Sequence, residues 1–343
     1  MFHFCRSRAL PLLTIALIAG PTAAWAEVKP TTTPPIVPSD SQQKAPAPTI
    51  ATDRPGFKLI STGSNPSQTL RYQPTVGSRQ VLTGKLSLTA QVSALGNPLT
   101  QPQLPDVALQ LETTVKQVAA NGDITYQLKY TKVDAEGNLT GTAAKIRDRL
   151  KSTLEGATGD FVMDSQGGRK SGSIKLPNPK DEVDQTLVNQ LTQSLDTLNV
   201  PLPTEKVGIN SEWQSTTVIP VRDRTGKEQT RLTQIATYKL VDLKDGMANV
   251  TVALQQTGDI SGIAIPTIGG LKVQLKGFQS DGSGQMGLSL KQVMPSKVDL
   301  SLKTNVQVET APGSGPLPIA IALDANSTAL LRLSDGGLIK AAK

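Results

Sequence analysis

The sequence predicts a mainly β fold: large antiparallel, curved sheet, as one sheet or two related halves, with one or two packed amphipathic helices. Three observations predict it. Apolar residues past Phe57 recur with period two, as in Val107, Leu109, Leu111 and Val115 and in Ile124, Tyr126, Leu128 and Tyr130. Turn formers separate these runs: Asn121-Gly122-Asp123, Glu136-Gly137-Asn138, Lys244-Asp245-Gly246 and Asp281-Gly282-Ser283-Gly284. Only two stretches carry helical spacing instead.

The first element is not part of the fold. Arg6 and Arg8 precede an uncharged apolar run from Ala9 to Gly20, and Ala24-Trp25-Ala26 offers a small-x-small cleavage pattern, so residues 1–26 read as a signal peptide. The run is shorter than the about 20 residues a membrane span needs, and no later stretch stays apolar for longer. Cys5 precedes the apolar run, whereas a lipid-bearing cysteine would sit at the cleavage site. The expected location is periplasmic or secreted, with no transmembrane segment after signal cleavage. Residues 27–56 hold Pro30, Pro34, Pro35, Pro38, Pro46 and Pro48 with few large apolar side chains, the composition of a Pro/Thr-rich disordered linker.

Residues 57–200 then form a first β half. Val81, Leu86 and Leu88 open it, and the runs at 107–115 and 124–130 follow. The helix expected near 144–155 sets Ile146, Leu150 and Leu154 on one stripe, with Gly156 to close it. Gly159 to Leu176 reads as strand, Gly-rich turn, strand. A second helix, near 182–199, aligns Val183, Leu187, Val188, Leu191, Leu195 and Leu198 at three- and four-residue steps, with Asp181 as N-cap and Pro201 ending it. The second β half, 201–343, repeats the alternation at Leu232–Leu243, Ala248–Leu254, Leu271–Leu275, Met286–Val293, Val298–Val308 and Pro318–Leu333. Val76-Gly77-Ser78 and Val207-Gly208-Ile209 open the two halves at similar spacing, and Gly277 to Leu290 matches Gly159 to Leu176 as strand, turn and strand. These matches suggest an internal duplication.

The composition restricts the chemistry. The chain has one histidine and one cysteine, His3 and Cys5, and cleavage would remove both. A Ser-His-Asp or Cys-His nucleophile then lacks its imidazole, and the usual zinc, copper, haem and iron-sulfur ligand sets cannot be assembled. Ser152 beside Lys151 and Ser171 beside Lys170 point apart as sequence neighbours. Asp164-Ser165-Gln166-Gly167 and Asp281-Gly282-Ser283-Gly284 lack the ordered acids of a calcium loop and fit plain turns. Gly167-Gly168 and Gly269-Gly270 lack the helix and lysine of a phosphate cradle. Asp160, Glu212, Asp242 and Asp259 remain as carboxylates for hydrolysis. With 33 basic residues (35 less Arg6 and Arg8) against 28 acidic ones, the mature chain carries a net charge of about +5. Aromatics are only 3 %, and no basic cluster is interleaved with them, which argues against nucleic acid. No cofactor is expected, and the chain reads as a non-enzyme.

The segment Ile260 to Leu271 joins four isoleucines to three glycines and a proline, too apolar for a solvent loop and too broken for a central strand. It reads either as a loop over a hydrophobic cavity or lipid surface, or as a bulged strand closing the core. Trp213 reads as a core anchor.

Pro203, Val207-Gly208 and Trp213, then Asp245-Gly246 between two β runs, then the meander from Gly284 to Val308 about Pro295, resemble a family of exported bacterial proteins known only as a domain of unknown function. The resemblance covers about Leu70 to Leu333 and implies an all-β protein with two related halves and no assigned activity. A sheet with a helix also looks, by architecture, like the periplasmic lipoprotein carriers, whose half-barrel holds acyl chains under a helical lid.

These readings converge on an exported envelope protein: a binding module for a hydrophobic ligand such as an acyl chain. The alternative is a structural or protein-interaction component of the envelope with no small ligand. For the first, the candidate ligand-binding residues are Ile263, Ile265, Ile268 and Leu271 with Leu187 and Leu191 of the helix; no residue is assigned to catalysis or to a metal.

Overall fold

The computed structural model describes residues 56–94, 97–98, 106–136, 141–179, 198–222, 228–258, 264–268, 271–310 and 322–339. The signal segment and all but the last residue of the Pro/Thr-rich stretch lie outside them.

The first half contains β1 (Phe57–Ser61), β2 (Gln68–Thr69), β3 (Arg79–Ala94), β4 (Asn97–Pro98), β5 (Asp106–Val118) and β6 (Ile124–Glu136), then helix α1 (Gly141–Leu154), β7 (Thr158–Met163) and β8 (Arg169–Lys175). The second contains β9 (Lys206–Val207), β10 (Glu212–Arg222), β11 (Glu228–Lys244), β12 (Met247–Thr257), β13 (Ala264–Ile268), β14 (Leu271–Ser289), β15 (Lys297–Thr310) and β16 (Ala322–Ile339). Fourteen of the strands form one antiparallel sheet whose main path runs β1-β10-β11-β12-β14-β15-β16-β3-β5-β6-β7-β8; β2 and β9 pair separately. The mainly β prediction therefore holds, as a single sheet.

Period-two alternation is what makes these strands. On β12, Ala248, Val250, Val252, Leu254 and Gln256 are buried, while the residues between them face outward. The predicted Asp245-Gly246 hairpin is present, with φ of 53 and 77 at its two central residues. α1 starts three residues before the predicted stripe and ends as expected, with Gly156 at φ 88. Beyond Lys129, β6 has no pairing to β7, and α1 packs against it while Tyr130 exchanges backbone bonds with Gly156 and Ala157. The helix predicted over Val183–Leu198 lies outside the described residues except for Leu198, which is buried.

One expectation is corrected. Asp281-Gly282-Ser283-Gly284 is not a turn, and Gly277 to Leu290 is not a strand-turn-strand unit; the residues run through the middle of β14, paired with β12 on one side and β15 on the other. The glycines serve close packing. A Cβ at Gly282 would lie 3.0 Å from the Ser301 carbonyl oxygen, and one at Gly284 would lie 2.6 Å from Leu300 Cδ2 and overlap the Asp299 carbonyl. Leu300 and Leu302 thus pack closely over β14. Gly284→Val is expected to lower stability by about 3 kcal/mol, read as a shift in the denaturation midpoint, because overpacking against backbone cannot relax by a rotamer change.

The curl is extensive. Seven strand spacings separate β11 from β6, about 34 Å in a flat sheet. Yet one core joins residues from β1 to β8, Tyr72, Tyr126 and Tyr238 among them. The sheet therefore wraps around its inner face. Two straps close one end of it. Tyr72 N donates to Ser165 O (2.8 Å), Gln73 N to Leu290 O (2.6 Å), and Leu202 N to Gln166 O (2.7 Å), which ties the segments around 72 and 202 to the β7–β8 and β14–β15 turns. Leu70, Tyr72, Val200, Leu202 and Val207 fill that end.

The sheet path also reads as two six-strand runs with the same connectivity, β1-β10-β11-β12-β14-β15 and β16-β3-β5-β6-β7-β8. The outer strand of each run comes from the opposite end of the chain. Local detail repeats too: Gly77 N and Ser78 O bracket Val115 as Asn210 N and Ser211 O bracket Leu240, and each strand then bulges at the next residue, Lys116 or Val241. Gly77 and Asn210 share a left-handed φ, 79 and 65. The match thus falls two residues beyond the Gly77–Gly208 pairing predicted from sequence.

Candidate binding face on the inner side of the sheet

The inner face is built from the inward phase of each long strand. Its rows can be followed by register. One runs Trp213, Tyr238, Val252, Gly284 and Leu300 across β10, β11, β12, β14 and β15; the next toward the far end runs Ser215, Ala236, Leu254, Gly282 and Leu302. Trp213 is fully buried, its ring stacked on Tyr238 at 5.9 Å, and its Nε1 donates to Pro201 O at 2.7 Å. It is the expected core anchor. Near the straps the face is filled; farther out Leu86, Leu109, Leu302, Val306 and Phe278 are only half-buried.

The third row differs. Thr217, Gln234, Gln256, Ser280, Thr304 and Ser327 are directly opposite one another on β10, β11, β12, β14, β15 and β16. Gln234, Gln256, Ser280 and Thr304 are 7, 2, 1 and 7 % exposed. Gln256 Nε2 donates to Gln234 Oε1 at 2.6 Å, and the Ser280 and Thr304 hydroxyls share a bond of 2.9 Å. Sequence reading missed this rung. Its signal was available, since Gln234 lies in phase with Ala236, Tyr238 and Leu240, and Gln256 with Leu254 and Val252, where the alternation calls for an apolar residue.

Charge is segregated. At the inward positions of Leu232–Leu240, Ala248–Gln256, Phe278–Leu288 and Val298–Val306, no charged residue occurs, while Lys239, Asp281, Asp299 and Lys303 alternate with them on the outer face. The outer face holds a cleft of about 810 Å³ over β15, β16, β3, β5 and β6. Lys85 in it lies 2.8 Å from both Asp106 and Glu136; Asp106 first, then Glu136, hold its ammonium above the usual lysine range, and Lys85 in turn lowers the Asp106 carboxyl. Positive and negative groups balance there.

Of the residues proposed from sequence, Ile265, Ile268 and Leu271 fall in one hairpin. β13 pairs with β14 through Ile265–Val273 and Ile268–Leu271, with an irregular register between, so the backbone of 264–268 is a bulged strand. Ile263, Leu187 and Leu191 lie outside the described residues. Among the carboxylates, Asp160, Glu212 and Asp242 take outward phases on β7, β10 and β11, and Asp259 is outside the described residues. Asp164 caps its own turn: its Oδ1 accepts from Gln166 N at 2.9 Å and Gly168 N at 2.8 Å, as the plain-turn reading expects. No helix among the described residues is long and apolar enough to cross a membrane.

Neither a known family nor a curated protein matches the chain. Among solved structures, a similar chain is an outer membrane channel from Pseudomonas putida F1, 7% identical over 77% of this chain and 97% of that one, with a TM-score of 0.20. A likeness at that score carries no argument about function.

Proposed function

We propose that the protein is an exported, non-enzymatic envelope module that holds a hydrophobic ligand, such as an acyl chain, against the inner face of its curled sheet. The observation that supports this reading is the segregation just described: a wrapped sheet whose inner side is uncharged over four neighbouring strands and whose apolar side chains are half-buried away from the strapped end. Such a surface gains by covering with hydrocarbon and offers little to an ionic ligand. Export is inferred from the N-terminal Arg6–Ala26 pattern.

Native mass spectrometry of the full chain purified from its own envelope tests the reading. Bound lipid mass that is released by organic extraction is the expected result. Repeated recovery of the bare mature mass, together with no uptake of an apolar fluorophore, would defeat it.

A further inference from the structure

We infer that the β14–β15 turn carries a cation site, in which the side-chain oxygens of Gln80 and Gln292 and the carboxylate of Asp335 hold a hard divalent ion of calcium's size. The inference goes beyond the hydrophobic-ligand reading and does not rest on it.

Three elements meet at this turn. Residues 290–296 leave β14 and bury Gln292, Val293 and Met294 before β15 begins at Lys297. Gln80, in phase with the inward Leu82 of β3, is 3 % exposed; its Nε2 donates to Met294 O at 3.2 Å and lies 3.5 Å from Pro295 O. Gln292 is 4 % exposed, and its Nε2 donates to Asp335 Oδ2 at 2.7 Å. Asp335 is fixed in turn by its own N–H, which donates to Ser296 O at 2.8 Å, and it stands opposite Leu82, the second residue after Gln80 on β3. Both amides and the carboxylate are thereby gathered on one turn.

The bonds decide which way each amide points. Turning either one over would set its oxygen against a carbonyl or a carboxylate, so the nitrogen ends are pinned and each Oε1 is left as a buried acceptor. Neither oxygen has a donor among the described residues. A buried acceptor without a donor is costly, and here two of them adjoin a carboxylate. A water has two hydrogens to donate, whereas a cation meets three oxygens at once. Arg79, beside Gln80 in sequence, takes the opposite face of β3 and pairs with Glu112.

The site opens to solvent on one side. Asp335, Ser296 and Ser334 line the cleft of the outer face, so an ion entering there meets the carboxylate first and the buried amide oxygens behind it. The donor set also selects the ion. Calcium accepts such hard oxygens in flexible geometry, while magnesium keeps its waters and demands a regular octahedron. No group of three or more His, Cys, Asp or Glu side chains that could hold a metal ion occurs among the described residues, and this site has one carboxylate. Its affinity therefore falls in the weak range of extracellular modules, with a dissociation constant of about 1 mM. The same turn holds a strap, since Gln73 N donates to Leu290 O, so an ion bound there braces the closed end of the sheet.

The test is the thermal midpoint of the full chain, freed of divalent ions and titrated with calcium chloride or magnesium chloride at constant ionic strength. Calcium at about 10 mM is expected to raise the midpoint by about 3 °C, and magnesium by less than about a third of that. Calcium should also slow amide exchange at Gln73. Gln80→Leu with Gln292→Leu keeps the approximate size of both side chains but removes both oxygens, and is expected to abolish the calcium response. Asp335→Asn is expected to weaken half-saturation by about tenfold, and it carries the test alone if the double variant does not fold. No response to calcium, an equal response to magnesium, or a response unchanged in a folded variant overturns the site.

Discussion

Above pH 10 the protein is expected to lose stability steeply, approaching about 4 kcal/mol for each further pH unit. The cause is three phenols. Burial raises Tyr72, Tyr130 and Tyr238 well above the usual tyrosine range, with the neighbouring Tyr238 and Tyr126 adding to the effect at Tyr72. In the native state all three keep their protons past pH 10, where the same residues in the unfolded chain begin to release theirs. The unfolded state then binds fewer protons, so stability falls as pH rises. Each tyrosine contributes about 1.4 kcal/mol per unit once the unfolded phenol is fully ionised. Below pH 10 neither state has lost the proton, and the contribution is complete.

Thermal melts between neutral pH and pH 11 would show the fall, and tyrosinate absorbance should rise together with loss of sheet signal. Tyr130→Phe removes one of the three protons, so the slope should drop by about a third. Phenols that titrate individually near pH 10 in a still-folded protein would show that the tyrosines are accessible and the core assignment is wrong. The location of Tyr72 gives the experiment a structural meaning. Its hydroxyl donates to Val200 O at 3.2 Å, so its ionisation should release the strap that closes the end of the sheet.

Much of this fold was legible in the sequence because strand phase is a local property. Ile124, Tyr126, Leu128 and Tyr130 declare an inward face without reference to any partner, and Asp245-Gly246 declares a tight turn by its tolerance of left-handed backbone. What remained hidden depends on pairing between distant segments. Nothing local in Phe57–Ser61 indicates that it lies beside Glu212–Ser215, or that Ala322–Ile339 lies beside Arg79–Ala94. Asp281-Gly282-Ser283-Gly284 was misleading for a related reason. The same residue types that permit a turn also permit a neighbouring strand to approach closely, and only Leu300 and Leu302 on the next strand decide between the two. The polar rung belongs to this second class. Each member alone is an interruption in an apolar alternation, and the row exists only once the register aligns them.

Trp213→Ala is expected to cost about 3–5 kcal/mol, the largest loss from any single truncation in the strapped end. The indole is fully buried and stacks on Tyr238 across the β10–β11 pair, while its N–H reaches past the sheet to Pro201 O at 2.7 Å. It therefore does two jobs: it fills the core, and it fastens the segment around Pro201 that packs Val200 and Leu202 beneath it. Trp213→Phe separates them. Phenylalanine retains most of the stacked area but has no donor, so the Pro201 carbonyl loses its partner at a cost of about 1–3 kcal/mol. If packing dominates, the phenylalanine variant should recover most of the stability lost in the alanine variant when both are compared by denaturant titration. If fastening dominates, the two variants should unfold at similar midpoints, and amide exchange at Leu202, whose N–H bonds Gln166 O, should accelerate in both. A Trp213→Ala midpoint close to that of the unaltered chain would mean that the strapped end contributes little to the fold.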